Sequence, residues 1–347
     1  MANIRILSRE DVIRVTEMQP IIDCVEEVYR QKSDGQTVVW PTAFYEFDPG
    51  HADMDIKSGY LPQAKLYGHK TVSWFEANRD RGLPDLAGFI AVYSAETGMP
   101  IGILDASYIT GIRTGAAGAI GAKYLARADS RNFVLVGSGN QALFQIAAMG
   151  TLFPGLRKIT VVNVRTPDHA ARFTAALPRM LADQFGLDLA GVTLAASGDL
   201  EAALSDADIV VTATPSKTPL VRKDWVRPGT HFSCMGADMA GKQELESALL
   251  AGARIFADDL EHCIAAGEME IPLKQGGDLP GGHRRRDRRP DPGQSPRPAA
   301  GGRDHHLRLH RHGAAGHRRR EGRPGPGGGE EPGRRCHTMR EESTHDI

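Results

Sequence analysis

Residues 133–142 read FVLVGSGNQA, so that a four-residue apolar run passes directly into a glycine-rich turn. A helical pattern follows at residues 141–149, which gives the order strand, G-x-G-x-x-A turn, helix. In this arrangement Gly137 permits the tight turn, Gly139 lets a phosphate approach the backbone, and Ala142 allows the helix to pack closely on the strand. The unpaired amides at the helix start then bind phosphate oxygens. We predict the diphosphate site of a dinucleotide here, and an ordinary strand-turn-helix junction is the alternative.

Short strands and helices alternate after this turn. The predicted strands cover residues 133–136, 159–163, 192–194, 209–212, 232–235 and 255–257. The predicted helices between them include residues 168–185 and 245–250. Strict alternation indicates an α/β fold with a Rossmann-type, doubly wound parallel sheet.

A different pattern precedes the turn. Residues 8–11 form a capping box, residues 18–32 have helical apolar spacing, and residues 37–104 alternate like the strands of a mixed sheet. An Ala- and Gly-rich helix is predicted at residues 116–125. We therefore predict an α+β substrate-binding and dimerisation domain at 1–115 and a dinucleotide-binding domain at 116–276.

Residues 277–347 differ from the rest of the chain in composition. They contain 16 Arg and 10 acidic residues, a formal charge of +6 against −7 for residues 1–276, and they lack Val, Phe, Tyr, Trp and Lys. Such a segment cannot offset its ordering entropy by apolar burial, so we predict a disordered basic tail. Our interpretation is a shifted reading frame in a GC-rich gene. The alternative is an arm for nucleic acid or acidic lipid at residues 284–289, but we expect no nucleic-acid partner.

The remaining composition excludes several protein classes. The sequence has no run of about 18 apolar residues and no basic-then-apolar start, so we expect a soluble, cytoplasmic protein without a membrane partner. The four cysteines, which lie at positions 24, 234, 263 and 336, form no C-x-x-C pair. They predict neither a disulfide framework nor a metal site.

The end of the second predicted strand bears on the choice of dinucleotide. It reads Asn163-Val164-Arg165-Thr166, where NAD-binding sheets usually carry an acid that meets the adenosine ribose. Without that carboxylate, and with Arg165 near, NADP is slightly favoured. Asn163 is also able to bond a ribose hydroxyl, so NAD stays open.

Four charged residues are candidates for the chemistry. Asp238 follows a strand at the carboxyl edge of the sheet and is either an acid/base or the N-cap of a helix near Lys242. Arg113, ahead of the Ala/Gly helix, either holds a carboxylate bidentately or pairs with a structural acid. Lys70 and, more weakly, Lys57 lie in strands, where lysines often point to solvent.

Four motifs in this order resemble the signature of ornithine cyclodeaminases, μ-crystallins and related amino-acid or ketimine dehydrogenases. They read HKTV at 69–72, GIRTGA at 111–116, GSGNQA at 137–142 and GADMAGK at 236–242. The resemblance covers roughly residues 5–276. It implies that Lys70 and Arg113 grip the substrate carboxylate, that Asp238 transfers protons beside the nicotinamide, and that the chain forms a homodimer largely through its N-terminal domain.

We accordingly expect a small amino-acid or imine substrate, NAD or NADP as cofactor, and no metal. The expected substrate contacts are Lys57, Lys70 and Arg113. The expected cofactor contacts are Gly137, Ser138, Gly139, Asn140, Gln141, Ala142, Asn163, Arg165, Thr166, Thr114, Met235 and Lys242.

Two departures from the family leave the substrate open. Residues 41–44 offer no arginine after the strand at 38–40, and Lys57 stands near the position where ornithine cyclodeaminases tend to carry glutamate. Three functions therefore remain: an ornithine cyclodeaminase, a dehydrogenase or reductase of alanine or a cyclic ketimine, and a non-enzymatic dinucleotide-binding protein like the μ-crystallins.

Overall fold

Two seven-stranded sheets organise the described part of the chain, residues 4–276 and 305–309 of a computed structural model. The N-terminal elements are β1 (Arg5–Leu7), α1 (Arg9–Val15), α2 (Met18–Ser33), β2 (Val38–Val39), β3 (Ala43–Asp48), β4 (Ala52–Leu61), β5 (Leu66–Phe75), β6 (Leu86–Ser94), β7 (Pro100–Asp105) and α3 (Ala106–Leu125). The later elements are β8 (Asn132–Val136), α4 (Ala142–Leu152), β9 (Lys158–Val162), α5 (Pro167–Phe185), β10 (Thr193–Ser197), α6 (Leu200–Leu204), β11 (Ile209–Thr212), β12 (His231–Cys234), α7 (Ser247–Ala251), β13 (Ala253–Ala257), α8 (Leu260–Ala265), α9 (Glu270–Lys274) and β14 (His305–Leu309).

The first sheet is mixed, as predicted. Its order is β1-β7-β6-β5-β4-β2, with β3 also paired to β4. Only β1 and β7 run parallel, and the other pairs are antiparallel. The predicted capping box is confirmed, because the Ser8 hydroxyl accepts from the Asp11 amide and the Asp11 carboxylate accepts from the Ser8 amide.

The second sheet is entirely parallel, in the order β10-β9-β8-β11-β12-β14-β13. Each strand predicted between residues 133 and 257 is present. The central strands β8 and β11 are buried along nearly their whole length, as their continuous apolar runs require. The carboxyl ends of these strands therefore form one edge of a doubly wound sheet, where ligands bind.

Helix α3 corrects the predicted position of Arg113. The helix begins at Ala106, ten residues before the predicted start, because the Asp105 carboxylate accepts from the Tyr108 amide at 2.9 Å and caps it. Gly111 and Gly115 do not break the helix, since it packs there against Phe144 of α4. Arg113 therefore lies within α3, and the predicted boundary between residues 115 and 116 falls inside a helix that contacts both sheets.

Strand β14 corrects the prediction that residues 277–347 form no regular element. His305–Leu309 pairs in parallel with β12 on one side and β13 on the other. The pairing uses backbone groups, so a strand can form there without the apolar pattern that we sought in the sequence. The basic run at 284–289 lies outside the described residues. Among the helices that the structure describes, none is long and apolar enough to cross a membrane.

Candidate active site

The glycine-rich turn leaves one face of its backbone bare. Gly137 has a φ of +112°, and a Cβ atom there would lie 2.6 Å from the Ala213 carbonyl oxygen, so glycine is required. A Cβ atom at Gly139 would meet no protein atom within 4 Å. Helix α4 begins directly after the turn without a side-chain cap; the Ala142 amide donates to the Gly139 carbonyl at 2.9 Å, and the amides of Leu143 and Phe144 are the ones left for an anion.

Ser138 is buried behind the turn in a hydrogen-bonded group that sequence reasoning missed in part. Its hydroxyl lies 2.7 Å from Nδ1 of His169 and accepts from Nδ2 of Asn163 at 2.8 Å. His169 was not predicted. The sequence signal for it is its position in the first turn of α5, the helix that follows β9. These hydrogen bonds connect the glycine-rich turn to the carboxyl end of β9 and to the first turn of α5.

The segment after β9 is held by Asn163. Its Oδ1 atom accepts from the backbone amides of Arg165 at 3.1 Å and Thr166 at 2.9 Å. Both polar ends of the Asn163 amide are thus engaged within the protein, whereas the Arg165 side chain is exposed. Arg165 is therefore better placed than Asn163 to meet the adenosine half of a ligand.

Three cations come together on the covered face of the first sheet. Lys57 and Lys70 are directly paired in the register of β4 and β5, and neither points to open solvent. The Lys57 ammonium donates to the Asp55 carboxylate at 2.7 Å, and the Lys70 ammonium donates to the Thr110 hydroxyl at 3.3 Å. Thr110 belongs to α3, one turn before Arg113, so the helix and the two strands bring the cations to one place.

Burial and mutual repulsion change the acid–base properties of these cations. Burial, then the charges of Arg113 and Lys57, lower the pKa of Lys70 to about 7. Burial lowers the pKa of Lys57 as well, and Asp55 opposes that shift. Burial lowers the pKa of Arg113 to about 10. A buried cluster of like charges is costly without an anion, so the arrangement favours binding of a carboxylate.

Asp238, the predicted acid/base, lies at the carboxyl edge of the second sheet. It lies in the loop after β12 and forms an ion pair of 2.6 Å with Lys242. No helix begins near Lys242, so the N-cap alternative for Asp238 is wrong. The negative charge of Asp238 raises the pKa values of Asp53, Lys57 and Arg113. Met235, the first residue of the loop, is buried.

The other expected contacts are distributed around this cleft. Asn140 donates to the Asp85 carboxylate at 3.4 Å and so links the glycine-rich turn to the first sheet. Thr114 is buried, and its hydroxyl donates to the Thr110 carbonyl of its own helix at 2.6 Å. The Thr114 hydroxyl, an expected cofactor contact, therefore already has a hydrogen-bond acceptor within α3.

A dinucleotide fits the residues present. The turn offers the open backbone face at Gly139 and the uncapped start of α4, and the Oε1 atom of Gln141 is buried there without a hydrogen-bond donor among the described residues. Oδ1 of Asp55 is likewise buried and accepts no bond from a described residue at the cation cluster. No group of three potential metal ligands occurs in the described part of the chain.

Comparisons with known proteins place this chain among relatives of one family. The sequence profile of the ornithine cyclodeaminase/mu-crystallin family matches residues 3–287. Alanine dehydrogenase of Archaeoglobus fulgidus is 35% identical over 274 residues, which cover 78% of this chain and 79% of that protein. Curated relatives also include proteins named ornithine cyclodeaminase and iminosuccinate reductase.

Two solved structures share the fold. An archaeal alanine dehydrogenase dimer with bound NAD superposes with a TM-score of 0.70 at 34% identity, covering 79% of this chain and 80% of that one. A Delta(1)-pyrroline-2-carboxylate reductase of Thermococcus litoralis, in complex with NADH and L-proline, superposes with a TM-score of 0.71 at 27% identity. It covers 79% of this chain and 81% of its own.

Proposed function

Because this chain belongs to the ornithine cyclodeaminase/mu-crystallin family, we propose that it is an enzyme that uses NAD or NADP to interconvert a small L-amino acid and the corresponding imino acid. The observation that supports the proposal is the meeting of Lys57, Lys70 and Arg113 with Asp238 at the edge of the sheet that carries the glycine-rich turn. Such a site combines a carboxylate-binding cluster with one group able to accept a proton.

Each residue has a separate part in this chemistry. Arg113 and Lys70 bind the substrate carboxylate and fix the α-carbon, and Lys57 adds a further positive charge beside them. The Asp238 carboxylate accepts a proton from the substrate nitrogen during oxidation and returns it during reduction. The dinucleotide, when bound, takes the α-hydrogen with its electron pair or gives it back.

A panel assay tests the proposal. L-alanine, L-proline and L-ornithine are each supplied with NAD⁺ or NADP⁺, and pyruvate with ammonia or a cyclic imino acid is supplied with the reduced cofactor. We expect a stoichiometric absorbance change at the nicotinamide for at least one small substrate. Asp238→Asn should abolish turnover while NADH still binds in a calorimeter. Normal turnover in that variant, or no heat from any pyridine dinucleotide with the folded full chain, would contradict the proposal.

Asp53 favours a second candidate, the cyclisation of ornithine. Asp53 lies on the same face of β4 as Asp55 and Lys57, and burial together with the charges of Asp55, Glu46 and Asp238 raises its pKa. A carboxyl repelled by three others gains from a cationic substrate side chain. Ammonia and proline formed from ornithine with only trace dinucleotide would favour this reaction over a net dehydrogenase.

The exposed Arg165 supports NADP over NAD as the preferred cofactor. No carboxylate ends β9, where NAD-binding sheets usually carry the acid that would repel a 2′-phosphate. In calorimetric titrations we expect Arg165→Ala to weaken NADPH binding and to leave NADH binding unchanged. Equal losses for both cofactors would show that Arg165 does not read the 2′-phosphate.

The uncovered face of the first sheet is the proposed dimer interface. On the other strands of this sheet, several side chains that point to the face opposite Lys57 and Lys70 are large, apolar and exposed. They include Ile6, Tyr45, Phe47, Phe89 and Ile103. An apolar patch of this extent is characteristic of an association surface, and a second copy of the chain is the partner that the family relation supports.

A further inference from the structure

Three buried glutamates surround the loop of Asp238 and take no part in the chemistry described above. Glu244, Glu268 and Glu270 are 0%, 1% and 2% exposed. Buried carboxylates are expensive to desolvate and must be hydrogen-bonded. Most of their partners are backbone amides in other segments, so no local sequence pattern identifies these glutamates.

Glu244 joins the ends of two neighbouring strands. Its Oε1 atom accepts from the Thr214 amide at 2.8 Å and the Thr214 hydroxyl at 2.7 Å, and its Oε2 atom accepts from the Gly236 amide at 3.0 Å. Thr214 lies just after β11 and Gly236 just after β12. One carboxylate therefore fixes both strand ends at the edge where Asp238 begins its loop.

Glu268 and Glu270 hold the rest of this loop. Glu268 accepts from the amides of Glu244 at 2.6 Å and Leu245 at 3.1 Å, through one oxygen each. Glu270 accepts from the Gly241 amide at 2.8 Å. The segment 236–245 is thus bonded to a glutamate at its start, near its middle and at its end, with Asp238 inside it.

A neutral side chain in place of the Glu244 carboxylate would avoid the cost of burying a charge beside Glu268. Glu244 and Glu268 repel each other, and burial with this repulsion raises the pKa of Glu268 to about 8. A carboxylate, however, accepts several N–H or O–H groups through two oxygens without bringing a donor of its own. Only such a group satisfies the three donors around Glu244 together.

We propose that Glu244, supported by Glu268 and Glu270, is a positioning residue that fixes the Asp238 carboxylate in the orientation needed for proton transfer. The inference rests on the proposed role of Asp238. Misplacement of a catalytic group by about 1 Å can cost about 100-fold in rate, so a buried bond beneath the loop can control turnover without touching the substrate.

The test compares Glu244→Gln with Glu246→Gln. Glu246 lies two residues away, and its carboxylate accepts from the Lys223 amide instead of the loop, so it is a matched control. In Glu244→Gln, the side-chain NH₂ group replaces one carboxylate oxygen and faces the backbone N–H of Thr214 or Gly236, so two donors oppose each other. We expect its kcat to fall about ten-fold or more, while substrate KM and the Kd of NADH change less than about three-fold. The control should keep its kcat.

Isotope effects and a milder variant separate positioning from stability. With the panel amino acid that the wild type oxidises fastest, the solvent isotope effect on kcat in D₂O should rise in Glu244→Gln, because proton transfer from the substrate nitrogen to Asp238 becomes slower. If that variant does not fold, Thr214→Val removes a single bond to Glu244 and should lower kcat by about two- to five-fold. A lower melting temperature with unchanged kcat in either variant would overturn the proposal.

The two single variants keep this proposal distinct from the proposed role of Asp238. If Asp238→Asn turns over normally, the acid–base assignment fails, and the positioning role fails with it. If Asp238→Asn is inactive while Glu244→Gln is fully active, only the positioning role fails.

Discussion

Lys57 and Lys70 lie directly opposite each other across β4 and β5, although both side chains end in ammonium groups. Like charges at such a position destabilise a sheet, and burial adds to the cost. Asp55 bonds to Lys57, whereas Lys70 bonds to the neutral Thr110 hydroxyl. The protein therefore keeps Lys70 close to the boundary between its charged and neutral forms at physiological pH.

Lys57→Met should move the pH dependence of substrate binding. Lys70 binds a carboxylate only when protonated, so affinity is complete below its pKa of about 7 and falls as the pH rises through that value. Removing the Lys57 charge raises the pKa of Lys70 and should shift the fall in affinity upward by about 0.2–0.7 pH unit. Profiles of KM against pH measure the shift, and Lys65→Met, at an exposed ion pair with Glu96, should leave it unchanged. A downward shift would contradict this account.

Gly139→Ala and Gly137→Ala should fail in different ways. A methyl group at Gly139 meets no protein atom, so the melting temperature should hold while NADH affinity drops by about ten-fold or more, because the methyl occupies the approach of the diphosphate. At Gly137 the positive φ and the nearby Ala213 carbonyl should cost about 1–3 kcal/mol of unfolding free energy. Thermal denaturation and calorimetry distinguish the two effects. Unweakened NADH binding in Gly139→Ala would place the diphosphate elsewhere.

Asp208→Ala should destabilise the second sheet. This buried carboxylate bonds to Arg127 and Arg227, and it accepts from the amides of Arg131 at 2.7 Å and Asn132 at 2.9 Å. Its loss leaves these donors unsatisfied, and we expect about 3 kcal/mol of lost unfolding free energy in urea titrations. Asp129→Ala, which removes an exposed partner of Arg127, should change stability by less than about 0.5 kcal/mol. Equal losses of unfolding free energy in Asp208→Ala and Asp129→Ala would show that the buried hydrogen bonds of Asp208 do not stabilise the sheet.

Glu268 should make stability fall as the pH rises. Its pKa is about 8 in the folded chain and lies near its ordinary value of 4.5 when unfolded, so the protonated form that folding favours is lost between those values. Glu268→Gln stays neutral throughout. Its melting temperature relative to the wild type should therefore increase between about pH 5.5 and about pH 8.5. Glu246→Gln is the control, and a pH-independent difference for Glu268→Gln would refute the assignment.

Phe89→Glu should dissociate the proposed dimer. Phe89 is 42% exposed on the uncovered face of the first sheet and contacts His69. A buried carboxylate without a partner is not tolerated in an interface, so sedimentation should give a monomer. Leu83→Glu, at another exposed apolar residue that precedes β6, should leave the oligomeric state unchanged. A dimer that persists in Phe89→Glu would move the interface to another surface.

Local patterns predicted most of the second sheet. The run at 133–136 and the turn beginning at Gly137 depend on neighbours in sequence, and both are confirmed. The start of α3 was wrong because Gly111 and Gly115 weaken an isolated helix, whereas here they permit close contact with Phe144. That contact joins segments about thirty residues apart and leaves no local signal.

The candidate site was predictable where a motif surrounds the residue. Lys70, Arg113 and Asp238 were predicted as site residues in this way, and Lys70 bonds to Thr110, one turn before Arg113 in α3. Glu268 binds the amide of Glu244, 24 residues earlier, and no spacing rule reveals such a pair. Asp55 was missed because its significance depends on the register that sets Lys57 against Lys70.

The position of β14 has a consequence for biosynthesis. Residues 305–309 form the strand that lies between β12 and β13. Those two strands are therefore not neighbours and are about 10 Å apart in the complete sheet. A nascent chain that has reached residue 276 already contains every predicted active-site residue. It still lacks the strand that pairs with both β12 and β13. The second sheet can be completed only after residues 305–309 have been synthesised. The rate of translation through this region therefore limits how early the sheet assembles.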